Sequence, residues 1–308
     1  MSAVLGAAGF LLLFAGGELV VRGGLSLARR LGVSTLIIGL VVIGFATSAP
    51  ELVVSLAATL ESQPELALGN VVGSTIANLL LILGIAAVVR PLSLSRGGFH
   101  QPALMVGAIA ALAAAGLLSG LGRVAGAAFV AALAVHLAVS YARERRSPVE
   151  VDEEEVTGPP ATLARAVPLL AAGLVALIAG GQLLVTGAVG LARELGVPEA
   201  VIGLTLVALG TSLPEIATSA TAAMHGHGDI AAGNVIGSNL FNVLGILGLV
   251  AIVRPLPIPA AMARVDIPFA LILSLLLLPV LAGKVRLGRP AGGVMLAAYA
   301  GYVLVRFA

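Results

Sequence analysis

Cysteine and tryptophan are both absent from this 308-residue chain. Without cysteine there is no disulfide, no thiolate metal site and no thiol nucleophile. With no tryptophan, 3 tyrosines and 8 phenylalanines, no pronounced aromatic belt is expected. Charge is scarce too. Asp, Glu, Lys and Arg make up 10% of the residues, where soluble domains carry about 25%. Hydrophobic residues reach 59% and the mean hydropathy is +1.11, which leaves too little polar surface to cover a core in water. The chain reads as an integral membrane protein. A pI near 9.5 does not indicate a nucleic-acid partner. The net charge is only +2, and the basic residues fall between apolar runs, where membrane topology accounts for them.

Ten apolar runs are long enough to cross a bilayer as helix, which takes roughly 17–25 residues. They are Val4–Val21, Leu36–Leu60, Leu68–Val89, Pro102–Leu118, Val124–Tyr141, Ala166–Val185, Ala200–Met224, Ile230–Val253, Ile267–Leu281 and Ala291–Val305. The first has no basic stretch before it and is expected to be retained rather than cleaved as a signal peptide. With both termini outside, only Arg123, Arg193, Arg254, Arg264 and Arg306 face outward, and the other 12 of 17 basic residues lie in cytoplasmic loops. Positive-inside orientation favours that arrangement. The polar insert RERRSPVEVDEEEVTGPP, Arg143–Pro160, then becomes a solvated cytoplasmic linker between the fifth and sixth spans.

The chain also resembles itself. Shifted by 164 residues, Ala15–Leu92 aligns without a gap on Ala179–Leu256. GFATSAPE (Gly44–Glu51) meets ALGTSLPE (Ala208–Glu215), and ALGNVVGSTIAN (Ala67–Asn78) meets AAGNVIGSNLFN (Ala231–Asn242). VVRPL (Val88–Leu92) meets IVRPL (Ile252–Leu256) in the same register. Ten spans divide into five per copy, and an odd number sends the second copy into the membrane from the opposite side. The expected fold is an all-α membrane protein of ten transmembrane helices in two inverted five-helix repeats, residues 1–142 and 164–308, joined by the linker 143–163. The motif cores are 36–92 and 200–256. Inverted repeats are a build of secondary transporters, with ion sites at the repeat interface near the midplane.

Chemistry concentrates at those motifs. A charge at the bilayer centre costs about 2.5–3.5 kcal/mol on insertion scales, so an intramembrane carboxylate marks a functional site by default. Glu51 and Glu215 occupy equivalent repeat positions within the apolar runs. Thr47 and Thr211 stand four residues before them, on the same helical face, with Ser48 and Ser212 alongside. Pro50 and Pro214 supply no N–H, so each helix is expected to break there and free backbone carbonyls toward a site. The second motif adds Ser74 with Asn78 and Ser238 with Asn242, each pair four apart, and Asn70 and Asn234 one turn earlier. Gly69 with Gly73 and Gly233 with Gly237 form small-residue faces for close helix approach. All the donors are oxygens. That set suits sodium, calcium or magnesium and disfavours zinc or copper. Two carboxylates are neutralised by one calcium ion, by two or more sodium ions, or by protons, and mutually exclusive occupancy is the physical basis of antiport.

The paired motifs resemble the two alpha-repeats of the sodium/calcium exchangers in the calcium/cation antiporter superfamily. The resemblance covers the second, third, seventh and eighth spans. It implies that Glu51 and Glu215 ligate calcium with Thr47 and Thr211. Ser48, Ser74, Ser212 and Ser238 would then complete sodium sites, and Asn78 would line the centre. Where some relatives carry aspartate at the position of Asn242, this chain keeps asparagine in both copies, so the cage has two carboxylates. The implied activity is sodium-for-calcium exchange by alternating access, with the lipid bilayer and the two ions as the only partners and no bound cofactor. A calcium/proton exchanger is the nearest alternative reading of the same residues, followed by a cation channel. An intramembrane hydrolase using Glu51 and Glu215 would lack a nucleophile. The remaining signals read as structural. Glu18 is expected to pair with Arg22 one turn on, HGHGD (His225–Asp229) to form a turn, and His100 and His136 carry no motif.

Overall fold

The structure, a computed structural model, describes residues 1–94, 98–118, 120–146, 162–196 and 208–307. The chain forms helices α1 (Ser2–Leu31), α2 (Thr35–Thr47), α3 (Ala49–Leu60), α4 (Pro64–Val89), α5 (His100–Leu117) and α6 (Arg123–Arg146). After residues 147–161, which hold most of the linker and lie outside the described residues, come α7 (Leu163–Glu194), α8 (Leu213–Met224), α9 (Gly228–Val253), α10 (Met262–Leu281) and α11 (Arg289–Phe307). Residues 200–207 of the expected seventh span also lie outside the described set. Among the described residues, seven helices are long and apolar enough to cross a membrane, or eight when the bent pair α2–α3 is one span.

Most helices start earlier or run further than their apolar cores. The first ends at Gly32, whose φ of +65° gives the left-handed cap that glycine adopts without penalty, with Arg29 and Arg30 in the last turn beside its negative dipole end. α1 stays helical past Val21 because it lies along α7 backbone to backbone. A Cβ on Gly16 would sit 2.8 Å from the Leu177 nitrogen, and one on Gly173 would sit 2.8 Å from the Val20 nitrogen. Small residues on both helices permit that approach.

Burial separates centre from periphery. In α4 and α9, 78% and 83% of the apolar window is buried, against 22–33% in α1, α5, α6, α7 and α10. The outer helices turn Phe10, Leu11, Phe14, Leu276 and Val294 outward. Such exposed apolar faces suit a lipid solvent, where burial inside protein is not required. The central pair carries the second motif of each repeat. The only strands among the described residues are Gly120–Leu121 (β1) and Leu256–Pro257 (β2), a short antiparallel clasp. At the start of α10 the buried Asp266 accepts hydrogen bonds from Tyr302 Oη and Arg306 Nη2, both at 2.9 Å, which ties α10 to α11.

Candidate cation site

Two helix breaks build the centre. α2 stops at Thr47 and α3 resumes at Ala49 with its axis turned by 41°. Ser48 sits between them at φ −83°, ψ 7°. In the second motif a short turn, Ala208–Gly210, ends before α8, and Ser212 takes nearly the same conformation, φ −88°, ψ 1°. Pro50 and Pro214 fall in the first turn of the resumed helices, where a missing N–H costs nothing. The carbonyls of Ser48 and Ser212 accept the first helical bonds, from Leu52 and Ile216, at 3.2 and 3.0 Å.

Ser-x-x-Glu at a helix start is the sequence of a capping box, in which serine and glutamate normally satisfy their own helix's N–H groups. Here neither serine hydroxyl caps its own helix. Ser48 Oγ donates instead to Glu215 Oε1 at 3.1 Å, and Ser212 Oγ donates to Glu51 Oε1 at 3.2 Å. The two boxes are exchanged, so each carboxylate lies against the positive end of the opposite helix.

Asparagines anchor the glutamate backbones. Asn70 Nδ2 donates to the Glu51 carbonyl at 3.2 Å and to Ser55 Oγ at 3.0 Å. Asn234 Nδ2 does the same to the Glu215 carbonyl and Ser219 Oγ, at 3.4 and 2.9 Å. Thr47 Oγ1 reaches Asn234 Oδ1 at 3.2 Å, and Ser238 Oγ reaches the Gly44 carbonyl at 3.1 Å. Asn78 Nδ2 donates to Asn239 Oδ1 at 2.9 Å, and Asn239 Nδ2 in turn points to Met105 Sδ at 3.5 Å. Asn78 opens one π-helical turn and Asn242 lies in another, a helix distortion frequent at functional sites.

The site needs α2 and α9 in backbone contact. A Cβ on Gly237 would collide with the Leu40 carbonyl, and one on Gly44 would lie 2.8 Å from the Ser238 nitrogen. The expected close approach thus holds for Gly233 and Gly237. It does not hold for Gly73, whose Cβ would meet nothing within 4 Å among the described residues, nor for Gly69, which meets only the end of Met262.

Nine of the ten predicted residues are buried, Thr47, Ser48, Glu51, Ser212, Glu215, Ser238, Asn78 and Asn242 to 2% exposure or less and Ser74 to 6%, and Thr211 is half-buried. Among the described residues of the motifs and of α8, six buried oxygens have no hydrogen-bond partner: Glu51 Oε2, Glu215 Oε2, Thr211 Oγ1, Thr218 Oγ1, Asn78 Oδ1 and Asn242 Oδ1. Leaving a buried acceptor unsatisfied costs about 1–3 kcal/mol. The contrast with Asp266, whose two oxygens are both engaged, is direct. Hydrogen bonds link Ser48, Ser212, Glu51 and Glu215 into crossed pairs, tie Thr47 to Asn234, and hold Ser238 to the backbone. Thr211 lies against Glu51 and Thr47 against Glu215, while among the described residues no hydrogen bond joins Ser74 or Asn242 to these pairs.

Sequence reasoning missed several participants. Ser55 and Ser219 stand one turn beyond the glutamates and 164 residues apart, so extending the repeat comparison by one turn finds them. Asn239 stands where the first copy has Thr75, and the comparison points away from it. Outside the centre, Glu18 pairs with Arg22 at 2.5 Å as expected and also meets His225 Nε2 at 3.4 Å. Burial, then the charges of His225 and Arg90, holds His227 below the usual histidine range, against a smaller opposing pull from Glu18.

Apolar helices packed around buried carboxylate, hydroxyl and amide oxygens define a multi-pass membrane protein of the ion-transporting class. The family model described as sodium/calcium exchanger protein matches residues 1–142 and 165–308. The chain belongs to the sodium/calcium exchanger family, a family of transporters. It is 31% identical over 340 residues to the sodium/calcium exchanger MaX1 of Methanosarcina acetivorans, covering 97% of this chain and 96% of that one. It is 36% identical over 276 residues to the inner membrane protein YrbG of Escherichia coli, covering 87% and 85%. Its fold matches the sodium–calcium exchanger NCX_Mj, solved in zero sodium and calcium, with a TM-score of 0.85 at 28% identity, over 99% of this chain and 98% of that one.

Proposed function

We propose that the chain exchanges sodium for calcium across the membrane by alternating access. Glu51, Glu215, Thr47, Thr211, Ser48, Ser212, Ser74, Ser238, Asn78 and Asn242 supply the oxygens that hold the ions. The observation that carries this reading is the set of buried oxygens without donors, two of them on carboxylates that share crossed serine contacts. Lone pairs without donors are what a hard cation satisfies. The opposed carboxylates hold one calcium ion or more than one sodium ion, and the two loads exclude each other. MaX1 and NCX_Mj bear the name of sodium/calcium exchangers, which favours sodium over protons as the counter-ion.

The ion site belongs to an architecture of ten spans in two inverted repeats, residues 1–142 and 164–308, with the charged segment 143–163 as a cytoplasmic linker. Supporting it, the contacts come in pairs whose members stand 164 residues apart: Ser48 and Ser212, Asn70 and Asn234, Ser55 and Ser219. Arg254 likewise binds Ser62 Oγ at 2.6 Å while Arg90 reaches the Met224 carbonyl at 3.5 Å. Both termini face outside, as the arginine distribution favours. The inner-membrane naming of YrbG supports the same membrane for this chain. The deciding experiment uses purified protein in sodium-loaded liposomes. Calcium uptake follows the outward sodium gradient; uptake driven by a pH gradient and indifferent to sodium overturns the reading.

A further inference from the structure

One chain of buried contacts runs through the centre and reaches a helix that carries none of the paired motifs. Asn78 on α4, Asn239 on α9 and Met105 on α5 are each 1% exposed or less. Asn78 Nδ2 donates to Asn239 Oδ1 at 2.9 Å, and Asn239 Nδ2 points to Met105 Sδ at 3.5 Å. An asparagine amide has an accepting end and a donating end, and a half-turn about its last bond exchanges them. A thioether sulfur accepts and never donates. Asn239 therefore keeps its NH2 group toward Met105, since its carbonyl oxygen there would set two acceptors against each other. That leaves Asn239 Oδ1 for Asn78, which answers with its own NH2 group. Asn78 Oδ1 is then the free end, and it is buried without a partner.

We infer that Met105 and Asn239 are positioning residues that hold Asn78 with its oxygen, not its N–H groups, toward the cation. The inference rests on the exchange reading, in which Asn78 supplies one of the ion-holding oxygens. A half-turned Asn78 would aim N–H dipoles at a positive ion and remove one donor from a cage of hard oxygens. The sulfur end sets the direction of the relay, because Met105 is the member that cannot reverse its role. The repeat supplies no second copy. Thr75 stands at the position equivalent to Asn239, and its hydroxyl donates to the Val71 carbonyl of its own helix at 2.9 Å. α5 thus acts on the site through α9.

Calcium binding to the purified full-length protein in sodium-free detergent buffer is measured by calorimetry. Met105→Leu nearly conserves volume while removing the acceptor. It should weaken calcium binding by at least about tenfold, the usual scale for losing a group that orients a metal ligand. Asn239→Asp presents an oxygen to Asn78 in either orientation, so on that background M105L should cost less than about twofold. Any gain from the added charge is common to N239D and M105L/N239D and cancels in the comparison. N239A gives the same comparison if N239D does not fold, since without an amide at that position Met105 has nothing to orient. Calcium binding with unchanged affinity in M105L overturns the relay. An equal loss on both backgrounds also overturns it, and marks Met105 as packing only. Absence of calcium binding in the unaltered protein overturns the exchange reading, and the relay with it.

Discussion

Exchange of the two capping boxes makes a specific energetic claim: Ser48 is coupled to Glu215, 167 residues away, more strongly than to Glu51, three residues away. Ser48→Ala deletes the 3.1 Å donor to Glu215 Oε1. Glu215 Oε2 already has no partner, so the substitution strips the Ser48 donor from the other oxygen of a buried carboxyl. The cost of orphaning such an acceptor is about 1–3 kcal/mol. The same alanine removes no bond to Glu51, because Ser48 does not cap its own helix. Double-mutant cycles separate the two pairings. Thermal unfolding of the detergent-solubilised protein without calcium is measured for S48A, E215Q, E51Q and both double variants. The S48A/E215Q coupling should exceed the S48A/E51Q coupling by at least about 1 kcal/mol. For a chain of 308 residues that is roughly 1.5 °C of melting temperature. The mirrored cycle, S212A with E51Q against S212A with E215Q, should give the same ordering. If Ser48 couples more strongly to Glu51, each serine caps its own helix and the crossed arrangement is wrong.

Glu51→Gln and Glu215→Gln should each abolish calcium exchange in liposomes while the protein stays folded and inserted, since each removes half the site's charge at nearly constant shape; normal exchange in either would dismantle the shared site. Acidification should weaken calcium binding because protons and calcium compete for the same oxygens, and calorimetry giving a flat affinity from about pH 5 to 8 would count against that competition. Asn242→Asp turns a buried amide whose oxygen has no partner into a third carboxyl, so calcium flux should become more steeply pH-dependent. A lower melting temperature with unchanged sodium and pH dependence would remove Asn242 from the site. His227 resists protonation in the folded state while the unfolded chain accepts the proton normally, so stability should fall as pH drops below about 6.5, and His227→Gln should flatten that slope in pH-dependent melts.

Membrane character was legible from composition alone, because 10% charge leaves no alternative to a lipid-facing surface. The broken helices were legible from Pro50 and Pro214, whose chemistry is local. What pairs across the molecule was not. Ser48-Ala49-Pro50-Glu51 reads as a self-contained capping box, and no local rule says that its serine and glutamate will each take a distant partner. Asn239 was invisible for a related reason, since its role depends on Asn78 and its counterpart is Thr75. Asp266 escaped notice at the edge of an apolar run, and only the placement of α11 supplies the Tyr302 and Arg306 that satisfy it. Gly69 and Gly73 show the converse: a small-residue spacing permits a close approach without requiring one.

The exchanged serine contacts also set an order of manufacture. When Ser48 leaves the ribosome, Glu215 has not been made, and 167 residues of synthesis at about 5–20 residues per second take roughly 8–33 seconds. Throughout that interval the start of α3 lacks its distant acceptor and Glu51 lacks Ser212. Glu51 thus stays without its serine partner until residues 212–215 have been made, and the crossed contacts close only when that segment arrives beside it.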